Sequence, residues 1–217
     1  YLRNLENRKQ EVKRLIGETG KLTDELAIKI DSAEILTEIE DIYRPYKPKK
    51  RTRATIAKEK GLEPLSDIIF AQDILVGSID DIASPFVNEE KGVSSIEDAL
   101  KGAMDIIAEI ISDDADYRKF IRDITYKEGI LVTKGIKGNE KSPYEMYYDF
   151  KEPVKKIAPH RILAVNRGEK EEYLSVKIEA PIDDIVMDIN RHALNDKGSI
   201  TTEYVKMAIE DAYKRLI

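Results

Sequence analysis

The chain has no cysteine, no tryptophan and only two histidines in 217 residues. Without thiols it has no disulfides, zinc–thiolate centres or cysteine nucleophiles. That fits a reducing compartment, and a cytoplasmic location is expected. Aromatics make up 7% of the chain, a composition that does not suit a β-sandwich. No apolar run approaches the ~18 residues that a membrane span needs, so no membrane partner is expected. The sequence also has no P-loop, dinucleotide fingerprint, nucleophile elbow or metalloprotease motif. A non-enzymatic protein without cofactor or metal is expected. No signal-peptide pattern opens the chain, which begins on Tyr1 in charged, helix-patterned sequence and reads as a piece of something longer.

What the chain has is charge. Charged residues make up 36%, and the formal net charge is −6. The distribution is uneven. Residues 44–60 hold eight Lys or Arg against one acid, Glu59, a formal +7, so the remainder carries −13. A basic block in an acidic chain marks a place for an anionic partner. Pro45 and Pro48 disfavour helix at the residues before them, so Arg44 to Lys49 should be extended. Thr52 can cap a short helix that stops at Gly61. Arg44, Lys47, Lys49, Lys50, Arg51 and Arg53 are the candidate phosphate-contacting residues, with Tyr46, and Tyr43 beside it, able to stack on a base. The plainer reading is a solvated connector whose tyrosines pack inward. If four to six phosphates are neutralised, log affinity should fall with log salt at a slope of roughly −3 to −5.

The rest reads as mainly α, a multihelical array with a small two-stranded β element. Apolar periodicity marks helices over residues 1–18, from Thr23, over 35–43, after Pro64, from Ser95, over 113–128, from Pro159 to a terminating Gly168, after Pro181 and over 202–217. A weaker helix over 79–87 is interrupted by Pro85, and Pro153 looks like another helix start. Ser95, followed three residues later by Asp98, is a short capping box. Ile130-Leu131-Val132-Thr133 and residues 173–179 have strand character and could pair. The polar turn at 88–94 divides an N-terminal lobe, 1–94, from a second lobe, 95–217, unless the two are one continuous domain.

Weaker motifs compete with plain readings. Gly135-Ile136-Lys137-Gly138 is a GxxG tetrad, a type that clamps nucleotides in KH domains. Lys134, Lys137 and Lys141 make that loop basic and a candidate secondary phosphate contact, against the default of a solvated turn. Asp113-Asp114-Ala115-Asp116 lacks the glycine and bidentate Glu of a calcium loop and reads as acids favouring a helix dipole. His160 reads as an ordinary first-turn residue. Arg161, Arg167, Lys155, Lys156 and Lys170 are offset by Glu169, Glu171 and Glu172, as in a face laced with salt bridges.

The run Tyr43-Arg44-Pro45-Tyr46-Lys47-Pro48-Lys49-Lys50-Arg51-Thr52-Arg53 and its continuation through Gly61-Leu62-Glu63-Pro64-Leu65 strongly resemble the bacterial Tex family. A second match runs from Tyr147-Tyr148-Asp149-Phe150 through Pro159-His160-Arg161-Ile162-Leu163-Ala164-Val165-Asn166-Arg167-Gly168. These are transcription accessory proteins that bind nucleic acid, related to a eukaryotic elongation factor. The resemblance implies a helical scaffold that offers a basic surface to RNA or DNA. It also implies that RNase H-like, helix-hairpin-helix and OB-type RNA-binding domains lie beyond Ile217. The alternative is a protein-interaction module docking an acidic partner such as RNA polymerase.

Overall fold

The computed structural model describes residues 1–136, 141–195 and 197–216. Among these the helices are α1 (Leu2–Glu18), α2 (Asp24–Ser32), α3 (Leu36–Tyr43), α4 (Arg53–Glu59), α5 (Glu63–Ala71), α6 (Ile79–Ala83), α7 (Ile96–Asp113), α8 (Ala115–Glu128), α9 (Pro159–Lys170), α10 (Ile182–Ala193) and α11 (Thr202–Leu216). The strands are β1 (Ile130–Gly135), β2 (Asp149–Pro153) and β3 (Leu174–Glu179). The protein is mainly α, as its patterning predicts.

Local chemistry explains the helix starts. The Thr23 hydroxyl accepts from the Leu26 amide at 3.2 Å, Thr52 from Thr55 at 3.0 Å and Ser95 from Asp98 at 3.1 Å. Each bond satisfies one of the first-turn amides that no helical carbonyl reaches, worth about 1 kcal/mol per cap. The Asp98 carboxylate reaches back to the Ser94 amide at 3.2 Å, one residue earlier than a full capping box would have it.

The chain divides into two compact units, residues 1–119 with 186–217 and residues 120–185. The turn at 88–94, expected as a lobe boundary, falls inside the first unit. The reason is packing: α7, which follows that turn, rests against α4 and α5, which precede it.

In the first unit α7 is the hub, packed by α4, α5 and α11. Ile106, Ile107 and Ile111 are buried along it with Ala99 and Ala103. Each isoleucine contributes about 1.5–3 kcal/mol by leaving water. Small residues let α4 come close: a Cβ added at Gly102 would lie 3.4 Å from Ala57 Cβ and 2.3 Å from Leu62 Cδ1. A second cluster joins α1, α2 and α3 through Leu5, Val12, Ile16, Ile30 and Ile39.

In the second unit β1 is the centre of a three-stranded antiparallel sheet, order β2-β1-β3. Thr133 lies opposite Phe150 on one side and Val176 on the other. The expected pairing of the two strand-like runs is present as β1 with β3. The sheet has one strand more than expected, β2, which pairs with β1; its last residue, Pro153, also precedes a short 3₁₀ helix at Val154–Lys156, where a helix start was expected. α9 covers the sheet through Val165 and Leu174, with Tyr144 and Tyr147 beside them. Gly168 does not end α9, which continues to Lys170. Its missing side chain serves close packing instead: a Cβ there would meet Leu174 Cδ1 at 2.6 Å and Tyr144 at 3.1 Å.

Candidate nucleic-acid interface

The basic segment begins where α3 ends. Arg44 has helical backbone angles, and Arg44–Tyr46 forms a 3₁₀ turn with Pro45 in it. This corrects the expectation of extended backbone from Arg44. The buried Tyr43 ties the end of α3 to the core, and Pro45 suits a first helical turn, where its missing amide costs nothing. Lys47, before Pro48, is extended, no helix or strand forms over 48–51, and Thr52, again extended, caps α4.

Tyr43 and Tyr46 both pack inward. Tyr43 belongs to the α1–α3 core with the Arg8 guanidinium 5.6 Å from its ring centre, and Tyr46 packs against the same cluster. Tyr43 is thus buried away from any base, whereas Tyr46 is half-buried.

The segment faces an acidic row on α7. Asp105, Glu109 and Asp113 recur every four residues, so they share one helix face, roughly opposite Ile107 and Ile111. Arg44 Nε donates to Asp113 Oδ1 at 3.0 Å, and Lys49 Nζ donates to the other oxygen of the same carboxylate. Lys49 Nζ is also 3.5 Å from Glu109 Oε1. The Asp113 side chain is only 9% exposed, so this contact anchors the segment. Arg53 approaches Asp105 at 4.0 Å, but Asp105 is held more closely by Arg215 of α11 at 2.6 Å. Arg215 also pairs with Asp211, and Arg51 with Glu59 at 2.8 Å. Lys47 and Lys50 are exposed and have no such partner among the described residues.

These groups line an open cleft of about 580 Å³. One wall is Arg44 and residues 47–53; the other is Glu109, Ser112 and Asp113, with Arg215. Four of the six candidate cations therefore have a carboxylate within 4.0 Å, but only Arg44 and Lys49 meet a largely buried one, Asp113; Arg51 and Arg53 stay about 70% exposed. Sequence counting missed this because the partners of Arg44 and Lys49 lie 64 to 69 residues away.

Lys134 and Lys141 belong to the second unit. Lys134 is exposed on β1, Lys141 is exposed, and Lys137 lies outside the described residues with Gly138, the other half of the GxxG tetrad being Gly135 and Ile136. Arg161 pairs with Glu152 at 2.7 Å and Arg167 with Glu171 at 2.8 Å, a salt-bridged face. Arg167, and then the Tyr144 hydroxyl, hold the Glu171 carboxyl below the usual range, while burial pushes Tyr144 up. His160 is exposed in the first turn of α9, and His192 Nδ1 lies 2.8 Å from the Asp188 carbonyl. Asp114 accepts from the amides of Asp116 and Tyr117, opening α8. Among the described residues no group of three or more acids and histidines is placed to hold a metal, and no helix is long and apolar enough to cross a membrane.

Residues 78–215 match the model of a family described as Tex central region-like. The chain belongs to the Tex family. It is 47% identical over its whole length to the protein YdcI of Bacillus subtilis, covering 30% of that protein. It is 38% identical, over 85% of its length, to the transcriptional accessory protein Tex of Neisseria gonorrhoeae, covering 24%. It is 28% identical, over 93% of its length, to the human S1 RNA-binding domain-containing protein 1, covering 21% of that protein. The chain thus spans less than a third of each relative. The stretch matching the Tex family model contains the acidic row of α7 and Arg215, while the basic segment precedes it.

Proposed function

We propose that this chain is a non-enzymatic helical scaffold within a longer cytoplasmic transcription accessory protein. Its basic segment offers a phosphate-binding surface to RNA or DNA without reading bases. The observation that carries the proposal is the exposed pair Lys47 and Lys50, standing over a cavity walled by further cations in a chain that is otherwise acidic. The names of relatives, a transcriptional accessory protein and an S1 RNA-binding domain-containing protein, support it. RNase H-like and OB-type domains would then be supplied by the rest of such a protein.

Internal pairing sets the magnitude. With two unpartnered cations, the log–log salt slope should be about −1.4 on single strands and about −1.8 on duplex, well short of the −3 to −5 that counting cations in the sequence gives. The test is binding of the chain to single-stranded RNA, single-stranded DNA and duplex across a salt series. Changing Lys47 and Lys50 together to Ala should bring the slope near zero and weaken all sequences alike, since phosphate contacts carry no base information. Unchanged affinity and slope in the double variant would refute the surface.

A second reading has its own observation: Arg44 and Lys49 already grip carboxylates, so the surface also suits an acidic protein such as an RNA polymerase face. Unrelated nucleic acid should compete for the surface under the first reading and leave protein binding untouched under the second.

A further inference from the structure

The cavity beside the basic segment is concave and of small-molecule size, about 580 Å³. A nucleic-acid duplex can cross its rim but not fill it. We infer that this cavity is a binding site for a compact, multiply charged phosphate group, a di- or triphosphate. It rests on reading residues 44–53 as an anion surface, and it adds a residue that the segment does not contain, Arg215.

The argument starts from what the walls already hold. Arg44 and Lys49 share the Asp113 carboxylate, and Arg215 and Arg53 share Asp105. A single phosphodiester carries one charge, the same as the carboxylate it would displace, so the exchange gains little. A triphosphate concentrates several charges within a few ångströms. Arg44 meets Asp113 through Nε and Arg215 meets Asp105 through Nη2, so the triphosphate can take their remaining N–H donors and those of Lys49 while the carboxylates stay paired, and Lys47 and Lys50 meet the outermost phosphate. Guanidinium forks suit this task, because two parallel N–H bonds match two phosphate oxygens. An open cleft whose cations come from residues 44–53 and, through Arg215, from α11 can converge on one compact group; a single row of cations on a flat face would favour a long backbone equally. Asp113, Glu109 and Asp105 then act as resident counter-ions that single phosphates do not dislodge.

The test is calorimetric titration of the whole chain, at fixed ionic strength, with inorganic triphosphate and with orthophosphate. Triphosphate should bind at least about tenfold tighter, roughly the worth of one added charge-assisted hydrogen bond. Arg215→Ala should remove most of that preference. Because Arg215 also bonds Asp105 and Asp211, Arg215→Lys is the companion variant: it keeps the charge, loses the fork and should lower the preference at unchanged Tm. A nucleoside triphosphate, and RNA oligonucleotides with a 5′-triphosphate or a 5′-hydroxyl, used as competitors, identify which source of the group binds. Equal affinity for triphosphate and orthophosphate, or triphosphate binding indifferent to both Arg215 variants, would overturn the inference. Either result could coexist with oligonucleotide binding that depends on Lys47 and Lys50, which would leave the proposed surface standing. Triphosphate binding that needs Arg215, beside oligonucleotide binding indifferent to Lys47 and Lys50, would support the pocket and sink the surface.

Discussion

Replacing Asp113 by Asn should strengthen nucleic-acid binding, an unusual direction for a substitution at a largely buried ion pair. The carboxylate receives Arg44 Nε at 3.0 Å and Lys49 Nζ on its second oxygen. An amide of the same shape cannot hold either as an ion pair. Arg44 is released outright, whereas Lys49 keeps Glu109 at 3.5 Å. Free cations on the surface rise from two to three, and to four when Glu109→Gln is added. Each contributes about 0.7 to the slope on single strands. The slope should therefore steepen from about −1.4 to about −2.1, then to about −2.8. Stability should fall modestly, by about 1–2 kcal/mol. The freed Arg44 and Lys49 side chains are 45% and 27% exposed and can turn to water, so the larger cost of a stranded buried charge does not arise. Fluorescence anisotropy of a labelled oligonucleotide between ~50 and ~200 mM salt reads the slope, and urea denaturation reads the stability. A slope equal to the parent's, or weaker binding at low salt, would refute the reasoning and make the segment an internal strut whose cations belong to the fold.

Three other substitutions test the packing and ion pairs of the two units. Asp41→Ala should cost about 2–3 kcal/mol, because Arg118 Nε sits 2.5 Å from a carboxylate only 5% exposed. At this size that lowers Tm by about 5–10 °C, and Asp41→Leu with Arg118→Met should recover most of it; a Tm change under a degree would count against the pair. Gly168→Ala should destabilise the second unit by about 1–3 kcal/mol through overpacking against Leu174, despite a helix-propensity gain of about 1 kcal/mol. Hydrogen exchange of β1 and β3 amides reports it, and unchanged protection would contradict the close packing. The Glu38 carboxyl is held below the usual range by the Glu34 amide, 2.9 Å away, and then by Lys119 at 3.0 Å. A lowered folded value stabilises above the unfolded Glu value of about 4.3 and loses that contribution as pH falls through the folded one. Glu38→Gln should accordingly be less stable at neutral pH and show a shallower acid limb in urea midpoints; parallel curves would exclude the linkage.

The helices were legible in the sequence because their determinants are local. A cap acts over three residues, as Thr23, Thr52 and Ser95 do, and an apolar stripe repeats within four, as along α7. The basic segment was legible for the same reason: charge density is a property of consecutive residues. β2 was not, because Asp149-Phe150-Lys151-Glu152-Pro153 has little strand character of its own and becomes a strand by pairing with β1. Gly168 read as a stop signal, although what it meets is Leu174, across the turn that follows α9. The site shows the division most clearly. Sequence alone determined that Arg44, Lys47, Lys49, Lys50, Arg51 and Arg53 are cationic and clustered. Only the tertiary structure decided which are free, because it sets α7 against the segment and brings Asp113 and Glu109 to Arg44 and Lys49 and Asp105 toward Arg53. Coulomb energy depends on distance in space and on burial, and neither can be read from separation along the chain.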